Sequence, residues 1–135
     1  MAETFLIDSD VCIDAIAGRD GSLIEALRST TPEPLVLSTI TCGEVLEGIY
    51  FSRDPVRDLR RWNHFVTGFS VADVTLDVAE MWAQLRGWFR HRRLPVEDND
   101  LLIAATALGS DMTLVSRNEK HFAPVPGLSL LVPEY

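Results

Sequence analysis

The feature that most constrains this chain is an alternation between short apolar runs and segments with helical spacing. Apolar runs occur at Phe5-Leu6-Ile7, Leu35-Val36-Leu37, Thr113-Leu114-Val115 and Leu128 to Val132. Short apolar strands that alternate with helices are typical of repeated βα units. The pattern therefore predicts a mainly parallel β-sheet connected by helices.

Helical spacing and helix-start residues mark the segments between these runs. Proline is favoured at the first helical position, and hydroxyl or carboxylate side chains are favoured at the cap. We expect two short helices at Val11 to Ala17 and Ser22 to Arg28, and a third around Glu44 with Thr39 or Thr41 as its cap. A fourth helix should start at Asp54-Pro55, and the longest should run from Asp73 or Thr75 to about Arg92. Asn118 to Phe122 should form a short turn or helix. The segment Asp100 to Leu108 is apolar almost all round, so we expect it to be a deeply buried helix.

Length and composition exclude several classes of protein. The 135 residues correspond to about one domain, 1–135. No uncharged stretch approaches the roughly 18 residues of a membrane span, so no membrane association is expected. Two cysteines do not make a disulfide framework, and the acidic start is not a secretory signal, so we expect a cytoplasmic protein.

The charged residues are unevenly distributed. Twenty acids against twelve bases give a net charge of −8, which argues against nonspecific adhesion to nucleic acid. Eight of the eleven arginines form two clusters: Arg53, Arg57, Arg60 and Arg61, and Arg86, Arg90, Arg92 and Arg93. They are either solvated helix faces that pair with nearby acids or local basic strips that bind phosphates.

Three acids follow or open predicted elements at the same edge of the sheet. Asp8 follows the first strand, Glu44 lies in the helix after the second strand, and Asp100 opens the buried helix. Ligands gather beyond the carboxyl ends of parallel strands, and a hard cation relieves the repulsion between carboxylates. Helix capping is the alternative role for Asp8 and Asp10 at the first helix, and for Asp98 or Asp100 at the buried helix.

Several segments together carry a family resemblance. They are Phe5 to Asp10, Ser38 to Gly48, Leu94 to Leu108, Leu114 to Phe122 and Val125 to Leu128. The chain resembles the PIN-domain family over essentially its whole length, and it looks like the VapC-type toxins of type II toxin–antitoxin pairs. The resemblance implies a three-layer α/β/α sandwich on a mainly parallel sheet of about five strands, and an endoribonuclease that depends on Mg²⁺ or Mn²⁺.

The resemblance also implies roles for individual residues. Asp8, Glu44 and Asp100 match the acidic positions that bind the metal and carry catalysis, whereas His121 stands where the family often has a fourth acid. Because of this departure, the sequence does not decide whether the site holds one metal ion or two.

Three further residues are candidates for an outer site. Asp98 or Asn118 is expected to act through water, and Ser9 is expected to orient a metal-bound water or simply to stabilise a turn.

The implied substrate is RNA, read as a single-stranded loop in a structured molecule. Arg117 and the strip of Arg86, Arg90 and Arg93 are candidate contacts to its backbone. The implied partners are a cognate antitoxin, for which the 41–66 segment is the expected docking region, and a second copy in a homodimer. DNA is expected to be bound only through the antitoxin.

Two alternatives stay open. The Asp8-Ser9-Asp10 run also resembles the nucleophile motif of haloacid-dehalogenase-like phosphatases, in which Asp8 attacks phosphorus and Asp10 acts as acid and base. The other alternative is a catalytically inert PIN-like module that only binds an antitoxin.

Overall fold

The computed structural model describes residues 2–135, which form a five-stranded sheet and seven helices. The strands are β1 (Phe5–Ile7), β2 (Leu35–Ser38), β3 (Phe69–Ala72), β4 (Thr113–Val115) and β5 (Leu130–Leu131). The helices are α1 (Ser9–Ile16), α2 (Leu23–Thr30), α3 (Thr39–Tyr50), α4 (Pro55–Val66), α5 (Leu76–His91), α6 (Asp98–Gly109) and α7 (Glu119–Phe122).

All neighbouring strands are parallel, in the order β3-β2-β1-β4-β5. The first strand therefore lies at the centre, and all three of its residues are buried. Leu6 belongs to the core on the side of α5 and α6, while Phe5 and Ile7 belong to the core on the side of α1 to α4. Side chains alternate across a strand, so helices cover both faces of this sheet. The expected α/β sandwich with a parallel sheet is confirmed.

Helix starts agree with the sequence in two places and differ in two others. Asp54 caps α4 ahead of Pro55, and Thr75 caps α5. The cap of α3 is Ser38, whose hydroxyl accepts the Ile40 N–H, rather than Thr39 or Thr41. The residue before α6 is Glu97, whose side chain makes no capping hydrogen bond, so Asp98 and Asp100 lie inside the first turn instead of capping it.

Two strands depart from expectation. The edge strand β3 was not predicted, because its side chains are only half-buried or exposed and it carries no continuous apolar run. The last strand is shorter than Leu128 to Val132, since only Leu130 and Leu131 pair with β4. Within residues 2–135, none of the helices has both the length and the apolar character to cross a bilayer.

Candidate active site

The candidate site lies beyond the carboxyl ends of the central strands. Asp8 directly follows β1, Ser116 directly follows β4, and Glu44 lies in the second turn of the helix that leaves β2. Asp100 joins them from the first turn of α6. Parallel strands end at a common edge, so residues far apart in the chain are collected in one place.

Asp8 is the most buried of these acids, with 2% of its surface exposed. Its Oδ1 accepts the Ser9 N–H at 2.9 Å, and its Oδ2 accepts the Ser116 hydroxyl at 2.7 Å. The pKa of Asp8 is raised to about 7, mainly by burial and also by the negative charges of Asp10 and Glu44, while the hydrogen bonds from Ser116 and the Ser9 N–H oppose this shift. Asp8 is therefore a fixed carboxylate without full charge compensation from the protein.

Glu44 presents a buried oxygen with no protein partner. Its Oε1 atom is inaccessible to solvent and makes no hydrogen bond. Burial raises the pKa of Glu44, and the charges of Asp100 and Glu97 add to this, while the Ser9 and Asn99 side chains lower it. A buried unsatisfied oxygen is destabilising by about 1–3 kcal/mol, so this atom is suited to a ligand.

Asp100 has one protein partner. Its Oδ2 lies 3.1 Å from His121 Nδ1, and its side chain is 14% exposed against 50% for His121. Burial raises the pKa of Asp100, His121 lowers it, and Glu97 and Asp10 raise it. The histidine at the position of the expected fourth acid thus faces the carboxylate of Asp100.

The three predicted acids form one electrostatic group. Asp8 is affected by the charge of Glu44, and Glu44 by the charge of Asp100. Among residues 2–135, however, no three His, Cys, Asp or Glu side chains stand ready in a metal-binding arrangement. The donor set still fits a hard divalent cation, because it offers carboxylate oxygens, among them the unpartnered Oε1 of Glu44.

Asp10 has a different environment from Asp8. Its Oδ1 accepts the Val11 N–H at 2.8 Å and its Oδ2 accepts the Arg117 N–H at 3.0 Å. Burial is the main cause of a raised pKa for Asp10, and the two backbone N–H groups lower it. Both oxygens are engaged by backbone, so Asp10 ties α1 to the segment after β4.

The three residues expected at an outer site have separate positions. Ser9 lies beside Glu44, close enough for its hydroxyl to lower the pKa of that carboxyl. Asp98 forms an ion pair with Arg86 and is exposed. Asn118 is exposed, and its backbone N–H donates to the Ser116 hydroxyl at 3.0 Å. Only Ser9 directly affects one of the three main acids.

The candidate RNA contacts also separate into two kinds. Arg117 pairs with Asp14 at 3.1 Å, and its guanidinium lies 4.7 Å from the ring centroid of Tyr135. The hydroxyl of Tyr135 donates to the same carboxylate of Asp14 at 2.6 Å. Arg117 is thus held by the protein itself.

In the strip at the end of α5, Arg86 is half-buried and donates to the Val96 carbonyl at 3.3 Å, in addition to its pair with Asp98. Arg90 and Arg93 are exposed, and neither makes an ion pair within residues 2–135. These two arginines are the free cations of the strip.

Sequence reasoning did not identify Ser116 as a partner of Asp8. Ser116 is completely buried, and it orders Asp8 through its hydroxyl while accepting the Asn118 N–H. The available signal was its position directly after the apolar run Thr113 to Val115, where a parallel strand delivers its next residue to the same edge as Asp8.

Comparison with known proteins identifies the family of this chain. Residues 5–128 match the PIN domain family, and the chain belongs to that family. Among curated proteins, it is 25% identical over 127 residues to Ribonuclease VapC2 of Rickettsia felis, with 93% of this chain and 95% of the relative covered. It is 26% identical over 126 residues to the tRNA(fMet)-specific endonuclease VapC of Salmonella typhimurium, again with 93% and 95% covered.

The fold is also found among solved structures. A chain in the crystal structure of DNA-bound VapBC from Salmonella typhimurium superposes with a TM-score of 0.88 at 26% identity, and the match covers 97% of this chain and 98% of that one. The predicted PIN-domain, VapC-like identity is confirmed. The family match also assigns the Asp8-Ser9-Asp10 run to this family rather than to a phosphatase.

Proposed function

We propose that this chain is a divalent-metal-dependent endoribonuclease that acts as the toxin of a type II toxin–antitoxin pair. The observation that carries the proposal is the group of Asp8, Glu44 and Asp100 at the carboxyl edge of a PIN-domain sheet. The relatives named ribonuclease and endonuclease support the reaction class.

The chemistry follows from what each side chain can do. Asp8, Glu44 and Asp100 would hold a Mg²⁺ or Mn²⁺ ion, which supplies Lewis-acid polarisation of a phosphate and an acidified water. Ser116 and the Ser9 N–H keep the Asp8 carboxylate in one orientation. His121 orients Asp100 from the solvent side.

The substrate proposed here is a single-stranded loop of a structured RNA. The test is sequencing of RNA 5′ ends after brief induction of the wild type and of Asp100→Asn. Wild type should produce discrete new ends that the variant lacks. Asp77→Asn is the matched control, since Asp77 is an exposed acid in the first turn of α5 and should leave cleavage intact. New ends that persist in Asp100→Asn would contradict the mechanism.

The proposed antitoxin surface is an apolar groove of about 320 Å³ between α1, α3 and α4. It includes Ile13, Val45 and Ile49, and Ile13 is 48% exposed. A helix with one apolar face binds such grooves, and most of the groove comes from the 41–66 segment.

The groove can be tested separately from catalysis. Ile13→Arg should prevent neutralisation by the cognate antitoxin and leave RNA cleavage by the isolated toxin unchanged. Leu76→Arg, on an exposed residue of α5, should affect neither. Neutralisation of Ile13→Arg at the wild-type antitoxin ratio would exclude this groove.

The remaining partner assignments belong to the same proposal. We expect a cytoplasmic homodimer that contacts DNA only when the antitoxin is bound, since the −8 charge of the chain disfavours direct DNA binding. A catalytically inert antitoxin-binding module is the second candidate, and it is favoured by His121 at the position where the family often has a fourth acid. Titration calorimetry with Mn²⁺ on wild type and Asp8→Asn distinguishes the two candidates. For the metal-dependent nuclease, wild type should show a heat of Mn²⁺ binding that Asp8→Asn lacks. For the inert module, the two proteins should show no difference.

A further inference from the structure

A cleft of about 590 Å³ opens beside Asp100, between the end of α5, the segment that follows it and α7. Pockets for small organic groups have volumes of roughly 300–1,000 Å³, so this cleft is large enough for one nucleoside. Its apolar wall is formed by Phe89, Leu94, Pro95, Val96 and Pro124. An apolar cleft that opens directly on the acidic centre is positioned to hold part of the substrate.

The wall is built by the way in which α5 ends. Arg93 adopts a left-handed conformation with φ of 54°, and the Leu94 N–H donates to the Phe89 carbonyl at 3.1 Å. This is a Schellman arrangement, which brings the side chain after the left-handed residue against the last turn of the helix. Glycine is usual at the left-handed position, but here an arginine occupies it. The backbone thus places Leu94 in the wall of the cleft, directly after the exposed cation Arg93.

The cleft lining carries charges of both signs, because Glu97 and Asp100 are acidic and Lys120 is cationic. Lys120, the only lysine of the chain, lines the cleft, and Arg90 and Arg93 are exposed nearby without ion pairs in residues 2–135. Lysine and arginine bind phosphate groups. In a chain with eight excess negative charges, these cations create a local site for a polyanion.

We propose that this cleft binds one unstacked base of a single-stranded RNA next to the phosphate to be cleaved, while Lys120 and Arg93 contact backbone phosphates. The proposal rests on the proposed ribonuclease function and specifies a subsite for it. A base in a duplex is stacked and paired and cannot enter, whereas the bases of loops are free. A segment of a protein partner is the competing occupant, and the continuity of the cleft with Asp100 favours the nucleotide.

The first test compares two leucines at opposite ends of α5. Leu94 is 41% exposed in the cleft wall, and Leu76 is 83% exposed far from it, so neither alanine substitution removes a core residue. Affinity is measured by fluorescence anisotropy with a short, labelled single-stranded RNA of mixed sequence, in EDTA to prevent cleavage. Leu94→Ala should weaken binding about three- to tenfold, because it removes apolar surface that the base would cover, and Leu76→Ala should not change it.

A labelled strand of the same length without bases isolates the role of the base. Wild type should bind it more weakly than the ordinary RNA, and Leu94→Ala should bind both strands alike. A structural effect of Leu94→Ala would weaken binding of both strands together and overturn the proposal. Thermal unfolding followed by circular dichroism verifies that both variants are folded.

The phosphate contacts are tested through salt dependence. Lys120→Gln should reduce the slope of log K against log salt by about 0.7, the value for one phosphate contact on a single strand. Arg60→Gln removes one charge from an exposed position of α4 and should leave the slope unchanged.

The outcomes separate this proposal from the one on which it rests. If wild type binds and cleaves RNA but Leu94→Ala behaves like Leu76→Ala, the proposal that the cleft binds a base is wrong. A segment of a protein partner is then the remaining candidate occupant. If wild type neither binds nor cleaves RNA with Mg²⁺ or Mn²⁺, both proposals are wrong.

Discussion

Asp8 and Asp100 belong to the same site but are held in opposite ways. Asp8 is 2% exposed at the end of the central strand and accepts two hydrogen bonds, from Ser9 and Ser116. Asp100 lies on the first turn of a helix, next to an open cleft, and its single partner His121 is half-exposed. The comparison indicates one tightly held and one loosely held carboxylate, which in the proposed function would be a fixed and an adjustable metal ligand.

The largest expected effect on activity comes from substitution of Asp8, the tightly held carboxylate. Asp8→Asn should reduce RNA cleavage by more than about 100-fold, because loss of a ligand should exceed the roughly 10- to 100-fold effect of losing an outer-shell partner. The measurement is initial cleavage rates of a labelled RNA in saturating Mn²⁺. Retention of most of the activity would show that Asp8 is a helix cap only.

The pH dependence of stability should distinguish the two acids. In the folded protein burial raises the pKa of Asp8 to about 7, whereas the ordinary pKa of an aspartate in an unfolded chain is 3.8. Between these values the folded state retains a proton that the unfolded state has lost, so stability falls as pH rises.

Without divalent ions, the free energy of unfolding of the wild type should therefore decrease by about 2–4 kcal/mol between pH 4 and pH 8. Asp8→Asn should remove most of this decrease, whereas Asp100→Asn should remove little. Urea titrations at each pH measure the free energy of unfolding. An equal decrease in wild type and Asp8→Asn would disprove that Asp8 is the group with the raised pKa.

A smaller effect is expected from the group that holds Asp8. Ser116→Ala removes the buried hydroxyl that donates to Asp8 and should lower the free energy of unfolding by about 1–2 kcal/mol. Mn²⁺ affinity should fall with it, by about 10-fold or more, because the orientation of Asp8 is lost. Ser110→Ala, at the exposed end of α6, is the control. Equal Mn²⁺ affinities in the two variants would exclude an orienting role for Ser116.

The smallest stability effect is expected at His121. His121→Asn removes a half-exposed partner of Asp100 and should change the free energy of unfolding by less than about 0.5 kcal/mol. Mn²⁺ affinity measured by calorimetry should change several-fold at most. A destabilisation as large as that of Ser116→Ala would show that the two sides of the site are equally rigid.

The sequence was sufficient for the parts of this site that depend on local order along the chain. Acids that directly follow apolar runs, such as Asp8, arrive at the carboxyl edge of any parallel sheet. The buried helix α6 was predictable from its almost uniformly apolar composition. Both signals are local and need no knowledge of which strands pair.

Features that depend on pairing were not predictable. The bond between Ser116 and Asp8 joins residues 108 positions apart, and no local pattern marks a serine for it. The edge strand β3 has a serine between Phe69 and Val71, and its side chains are only half-buried or exposed, so no continuous apolar run marks it. The ion pair that occupies Asp98 depends on Arg86 reaching across from α5, which spacing alone does not show.

The separation of Asp8 and Ser116 has a consequence for synthesis of the protein in the cell. Asp8 is translated 108 positions before Ser116, and β1 cannot pair with β4 until the intervening chain has been made. Until β4 has left the ribosome, the Ser9 N–H is therefore the only one of the two hydrogen-bond donors that can reach Asp8. The final orientation of this carboxylate is set late in synthesis, although the residue itself is made early.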